Sequence, residues 1–172
     1  MTSRTAVAAG ALAAVASYRP SIERWVAAAQ DVRARFPAAA AGPVTSIGVP
    51  TWFYGHEPSN VFAPAIAKYF QNSVREATLL RRCDGGTVFL PGAAGTVQEI
   101  FQDACENYYA GQSAVAPMVL LGRRYWTEEL PVWPLLQALA AGRAMEPHVH
   151  LVDTVEEAVQ VVRETLSRRG DG

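Results

Sequence analysis

Between Pro91 and Glu99 the chain reads Pro-Gly-Ala-Ala-Gly-Thr-Val-Gln-Glu, directly after the apolar run Thr87-Val88-Phe89-Leu90. A short apolar run closed by Pro-Gly predicts a buried strand that stops in a turn. From Thr96 to Tyr109 a helix is expected, with Ile100, Phe101, Ala104 and Tyr108 on one face. Gly92 and Gly95 open backbone conformations closed to other residues and let the main chain approach a ligand closely. The unpaired N–H groups of the helix's first turn, together with its dipole, make an anion site. The Thr96 hydroxyl adds a donor, so the segment suits a phosphate. Glu99 follows Thr96 by three residues, which leaves it two roles. Thr-x-x-Glu is the spacing of a capping box. A carboxylate next to an anion site can also act on what is bound there.

Other residues carry weaker signals. His56 and Glu57 share a polar loop, where His56 reads equally as a substrate contact or as a solvated side chain. Trp52-Phe53-Tyr54 can stack on a base or simply pack. His148 and His150 alternate along an expected strand and so share a face, with no third metal ligand and a structural role preferred. Cys83 and Cys105 have no CxxC partner and no histidine at ligand spacing, so no metal site is expected. They read as inert core thiols. Trp126, Trp133, Tyr108 and Tyr109 read as core or subunit interface.

The elements that must position the turn follow from periodicity. Ser21 caps a helix through Ile22, Trp25, Val26, Ala29 and Val32. Pro37 to Pro43 is a connector, and Val44 to Val49 a buried strand. Thr51 to Asn60 is a loop, and Phe62 to Leu80 has helical spacing through Phe62, Ile66, Tyr69, Phe70 and Val74. Further strands are expected at 87–90, 117–121 and 149–152. A helix broken by Pro131 and Pro134 spans Glu128 to Ala141, and a last one spans Thr154 to Leu166, with Thr154 and Glu157 at capping-box spacing. Strands of continuous apolar residues alternating with helices predict an α/β fold: a Rossmann-like three-layer sandwich whose short parallel sheet of about four strands is flanked by helices. Residues 1–43 read as a helical N-terminal segment and 44–172 as the nucleotide-binding part of one domain.

The chain has 172 residues, of which half are hydrophobic and 18% charged, as expected for a globular domain with its own core. A net charge of -1 gives no reason to expect nucleic-acid or anionic-membrane binding. Arg4 followed by the alanine-rich run Ala6 to Ala16 loosely resembles a signal peptide. The run is weakly apolar and too short to span a bilayer, so a packed helix and a cytoplasmic location are preferred. There is no internal repeat.

The stretch Pro91 to Glu99 resembles the PGGxGTxxE motif of the LOG family, whose members were once labelled lysine decarboxylase-like. Glu57-Pro58-Ser59-Asn60 is similar to that family's E-x-x-N loop, Tyr69 to Arg75 to the helix carrying its arginine, and Gly122-Arg123-Arg124-Tyr125-Trp126 to its GREYW-like stretch. The likeness covers roughly residues 44–165. It implies a hydrolase that cleaves nucleoside 5'-monophosphates to free base and ribose 5-phosphate. It also implies Arg75 and Glu99 as the catalytic pair, Gly92, Ala93, Ala94, Gly95 and Thr96 as the phosphate turn, and Glu57 and Asn60 as substrate contacts. No metal or other cofactor is implied. A homodimer is, with Tyr69, Phe70, Phe101 and Tyr108 as candidates for its face.

The likeness has three departures. Ala93 stands where the family has a glycine, so the turn must avoid positive φ there. Glu76 follows Arg75 where the family has lysine, adding a negative charge. The family's first strand and glycine-rich loop have no counterpart before residue 44, so the chain reads as the C-terminal half to two-thirds of a longer LOG-like protein with one sheet edge exposed. Two functions therefore compete: the hydrolase, and a catalytically silent nucleotide-binding module or partner-dependent subunit. Lysine decarboxylation is rejected, because the sole lysine, Lys68, has no pyridoxal phosphate motif around it.

Overall fold

In the computed structural model, residues 21–35, 47–50, 60–112 and 114–170 are described. The chain divides into two compact units, residues 1–75 and 76–172. The alanine-rich start, the Pro37–Pro43 connector with the expected boundary at 43/44, and Trp52 to Ser59 lie outside the described residues.

In the first unit, helix α1 spans Ile22–Arg35 and buries Ala29 and Val32. Ser21 caps it as expected, its Oγ accepting from the Arg24 N–H at 3.3 Å. Strand β1, Ile47–Gly48, is parallel to β2, Ala65–Ile66. β2 falls where a helix was expected from Phe62 onward. Pro64 explains the difference, because proline has no N–H to donate and drives the residue before it out of the helical region. Asn60 reinforces it by accepting the Phe62 N–H at 3.0 Å, a turn that competes with helix. Helix α2 starts only at Asn72 and runs to Arg82, from the first unit into the second.

The second unit is a three-layer α/β sandwich of Rossmann-like type. Its sheet is wholly parallel, in the order β3 (Thr87–Phe89), β4 (Met118–Leu121), β5 (Val149–Val152). Thr87 pairs with Met118, and Met118 with Val149. The expected strands are thus divided over two sheets rather than joined in one. Alternation along each strand sends side chains to opposite faces. One face carries Phe89, Met118, Leu120 and Leu151, which pack on Ile100 and Ala104 of helix α3 (Ala94–Tyr109) and Leu136 and Ala140 of helix α4 (Trp133–Ala140). The other carries Val119 and Val152, covered by Ala158 of helix α5 (Val155–Gly170). On that second face a groove of about 390 Å3 runs between β3 and α5, lined by Val88, Leu90, Leu121, Val155, Val159 and Arg163 among others.

Local sequence explains the helix ends. At α5 the capping box forms as expected: Glu157 N–H donates to Thr154 Oγ1 at 3.2 Å, and Glu157 Oε2 accepts from the N–H groups of Thr154 and Asp153. Those backbone donors hold the Glu157 carboxyl below its usual pKa. The region expected as one broken helix from Glu128 splits into a π-helical turn, Tyr125–Glu129, and α4, which has a proline in its first turn. His148 ends a 3₁₀ turn, Glu146–His148, so it does not share the strand with His150. Cys83 is half-buried, but Cys105 is exposed, and the second core thiol is not found.

Candidate functional site

The turn after β3 is built as a tight strand-to-helix junction. Helix α3 begins at Ala94, a strong helix former, two residues earlier than expected. Ala93 is the N-cap, with φ -106° and ψ -148°, and no side chain caps the helix. The expected need at Ala93 is met: no described residue other than glycine has positive φ. Neither Gly92 nor Gly95 uses the left-handed region, so the backbone freedom expected of them is not drawn on. At Gly92 the reason is space. A Cβ there would fall on the Thr96 hydroxyl and lie 2.8 Å from Thr96 Cβ, so Thr96 closes over a glycine that nothing larger can replace without a shift. Gly95 has nothing within 4 Å of an added Cβ, and its surface is open to whatever approaches the helix end.

The helix start at Ala94 bears on the capping role expected of Glu99. Thr96 lies inside the first turn and is not the N-cap, so Thr96 and Glu99 do not form a capping box. Glu99 is half-exposed, one turn along the same helix. The N–H groups of Ala94, Gly95 and Thr96, the first three helical residues, have no hydrogen-bond partner among the described residues, and Ala93, Ala94 and Gly95 are exposed. Three open donors, the positive end of a 16-residue helix and a nearby carboxylate stand together at the carboxyl end of a parallel strand. That is where open α/β sheets bind ligands.

Two features that the sequence did not announce support the turn. Tyr125, on the segment after β4, donates its hydroxyl to the Gly92 carbonyl at 2.6 Å. Glu76, 2% exposed, accepts a 2.7 Å hydrogen bond from the Gln98 side-chain amide, tying α2 to the first turns of α3. No spacing signal could have found either, since each pairs residues more than twenty positions apart.

The remaining expected site residues fall in the first unit or outside the described residues. Arg75 is in the first unit, where Nε donates to Asn72 Oδ1 at 2.8 Å and Nη1 to the Val49 carbonyl at 3.2 Å. Asn60, exposed in the same unit, has its Oδ1 engaged by the Phe62 N–H. Glu57, with His56 and Trp52 to Tyr54, lies outside the described residues. Gly92, Ala93, Ala94, Gly95, Thr96 and Glu99 thus belong to one strand-to-helix junction in the second unit, and Arg75 and Asn60 belong to the first unit.

Away from the turn, Asp103 on α3 is 6% exposed. Its Oδ1 accepts from Asn107 Nδ2 at 3.3 Å, while Oδ2 is buried without a partner. Burial pushes its pKa up to about 6, opposed by the neighbouring Thr87 hydroxyl and helped by the Glu106 charge. Cys83 is raised in turn by burial, then by Asp103 and Asp84. Among the described residues, no group of three or more His, Cys, Asp or Glu side chains is placed to hold a metal ion, and no helix is long and apolar enough to cross a membrane. No family model matches the chain, and no curated protein is significantly similar to it.

Proposed function

We propose that the protein is a nucleoside 5'-monophosphate phosphoribohydrolase of LOG type, with the phosphate held at the turn Gly92–Thr96 and Glu99 as the catalytic carboxylate. The observation that carries this reading is the helix start at Ala94, which leaves the N–H groups of Ala94, Gly95 and Thr96 open at the carboxyl end of a parallel strand, one turn from Glu99. Cleavage of the N-glycosidic bond builds oxocarbenium-like charge on the ribose. Glu99 stabilises that charge and orients water, whose oxygen bonds to the anomeric carbon as the carbon–nitrogen bond breaks. The electron pair leaves with the base, which takes up a proton, and the products are free base and ribose 5-phosphate. Arg75 enters through the family likeness alone, as the residue that forks onto phosphate or ribose oxygens. A homodimer and a cytoplasmic setting belong to the same reading.

The test is to incubate the purified chain with AMP, GMP, CMP and UMP and to measure free base. Release that survives a metal chelator and is lost in both Glu99→Ala and Arg75→Ala supports the hydrolase. Nucleotide binding without release replaces it with a silent binding module.

A further inference from the structure

The segment after β4 is mounted more firmly than a connecting loop requires. Gly122 turns the chain out of the strand with φ +99°, a conformation that L side chains rarely adopt. Arg123 then locks to the end of β5: its N–H donates to Asp153 Oδ1 at 2.8 Å, Nε to Asp153 Oδ2 at 3.3 Å and Nη2 to the Leu151 carbonyl at 2.9 Å. Trp126 is fully buried and donates Nε1–H to the Leu121 carbonyl at 3.0 Å. The Tyr125 ring stands edge-on to Trp126, 4.9 Å between centroids at 89°, and the π-helical turn closes from the Leu130 N–H onto the Tyr125 carbonyl at 2.8 Å. Tyr125 is thus held on both sides, and its hydroxyl reaches across to the Gly92 carbonyl of a different turn.

The direction of that bond has an electrostatic consequence. The Gly92–Ala93 peptide is trans, so its C=O and N–H point opposite ways. A carbonyl drawn toward Tyr125 turns its negative end into the protein and the Ala93 N–H the other way. Were the carbonyl to swing out, it would set a partial negative charge where an anion has to bind.

We propose that Tyr125 is a positioning residue for the phosphate turn, holding the Gly92–Ala93 peptide so that its N–H, not its carbonyl, faces the phosphate. This rests on the proposed phosphate site but not on hydrolysis occurring there. Tyr125→Phe keeps the ring and its contact with Trp126 and removes only the hydroxyl. Ribose 5-phosphate is titrated calorimetrically into wild type and variant, base release from AMP is followed for KM and kcat, and urea unfolding is recorded in parallel. The expected result is a dissociation constant and a KM each raised about fivefold, or about 1 kcal/mol at 1.4 kcal/mol per tenfold, with kcat within about twofold. A role in stability alone would lower the unfolding midpoint and leave affinity for ribose 5-phosphate unchanged, which overturns the proposal. If wild type releases no base yet the variant still binds ribose 5-phosphate more weakly, the hydrolase reading fails and the positioning role stands. If wild type does not bind ribose 5-phosphate at all, both fail.

Discussion

Asp103 should make the protein less stable at neutral pH than at mildly acid pH. Its carboxyl is 6% exposed, its Oδ2 has no partner, and its pKa is pushed up to about 6 from 3.8. Below the lower value both folded and unfolded chains hold the proton, and the group contributes nothing. As pH rises through the unfolded value the unfolded chain ionises freely while the folded one cannot, so stability falls. The fall ends once pH passes the folded value of about 6. A rise of roughly two pKa units at 1.36 kcal/mol each makes the loss about 3 kcal/mol, all of it between about pH 4 and about pH 6. Asp103→Asn has nearly the same shape and no ionisable proton there. Urea unfolding of both proteins, followed by circular dichroism at intervals from about pH 4 to about pH 7, should show the variant gaining on wild type across that window and holding the gain above it. A difference between the two proteins that does not change with pH would refute the reasoning and mean that the orphaned oxygen is solvated or paired in solution.

The two glycines of the turn should part company. Gly95→Ala meets open space in a helix and should raise stability by about 0.5–1 kcal/mol in urea unfolding, while its methyl lowers affinity for ribose 5-phosphate by about tenfold or more. Gly92→Ala forces Thr96 aside and should cost about 1–3 kcal/mol in the same unfolding measurement. Thr154→Ala removes the N-cap of α5 and should cost about 1 kcal/mol in unfolding free energy. Iodoacetamide followed by mass spectrometry should modify exposed Cys105 well before Cys83, whose thiol is held up by burial and by Asp103 and Asp84.

What could be read from the sequence was whatever depends on near neighbours. The Thr154–Glu157 cap, the Ser21 cap and strand β5 stood where spacing put them, because each is decided within a few residues. The same reasoning misplaced the start of α3, since Thr96 is a good cap by type but Ala94 and Gly95 before it are already helical. It also read Phe62 to Gln71 as helix on apolar period alone, where Pro64 and the Asn60 turn decide against helix. The pairing of β1 with Ala65–Ile66, the tie from Glu76 to Gln98 and the reach of Tyr125 to Gly92 join distant segments, and such contacts leave no local trace. At the candidate site, the strand-to-helix turn after β3 was therefore legible, while the groups that hold it in place were not.

The register of the three-stranded sheet bears on how the second unit folds. Thr87 pairs with Met118 and Met118 with Val149, so the two crossovers enclose stretches of equal length. Loop closure then costs the same entropy for either pairing, and chain length favours neither as the first step. What separates them is the residues the closing loops deliver. The first brings α3, whose buried face includes the charged Asp103 and the polar Asn107, and the second brings α4, whose buried residues are Leu136 and Ala140. Collapse around β4 and β5 should lead, and the turn from Gly92 to Thr96 should be among the last parts of this unit to take its final form.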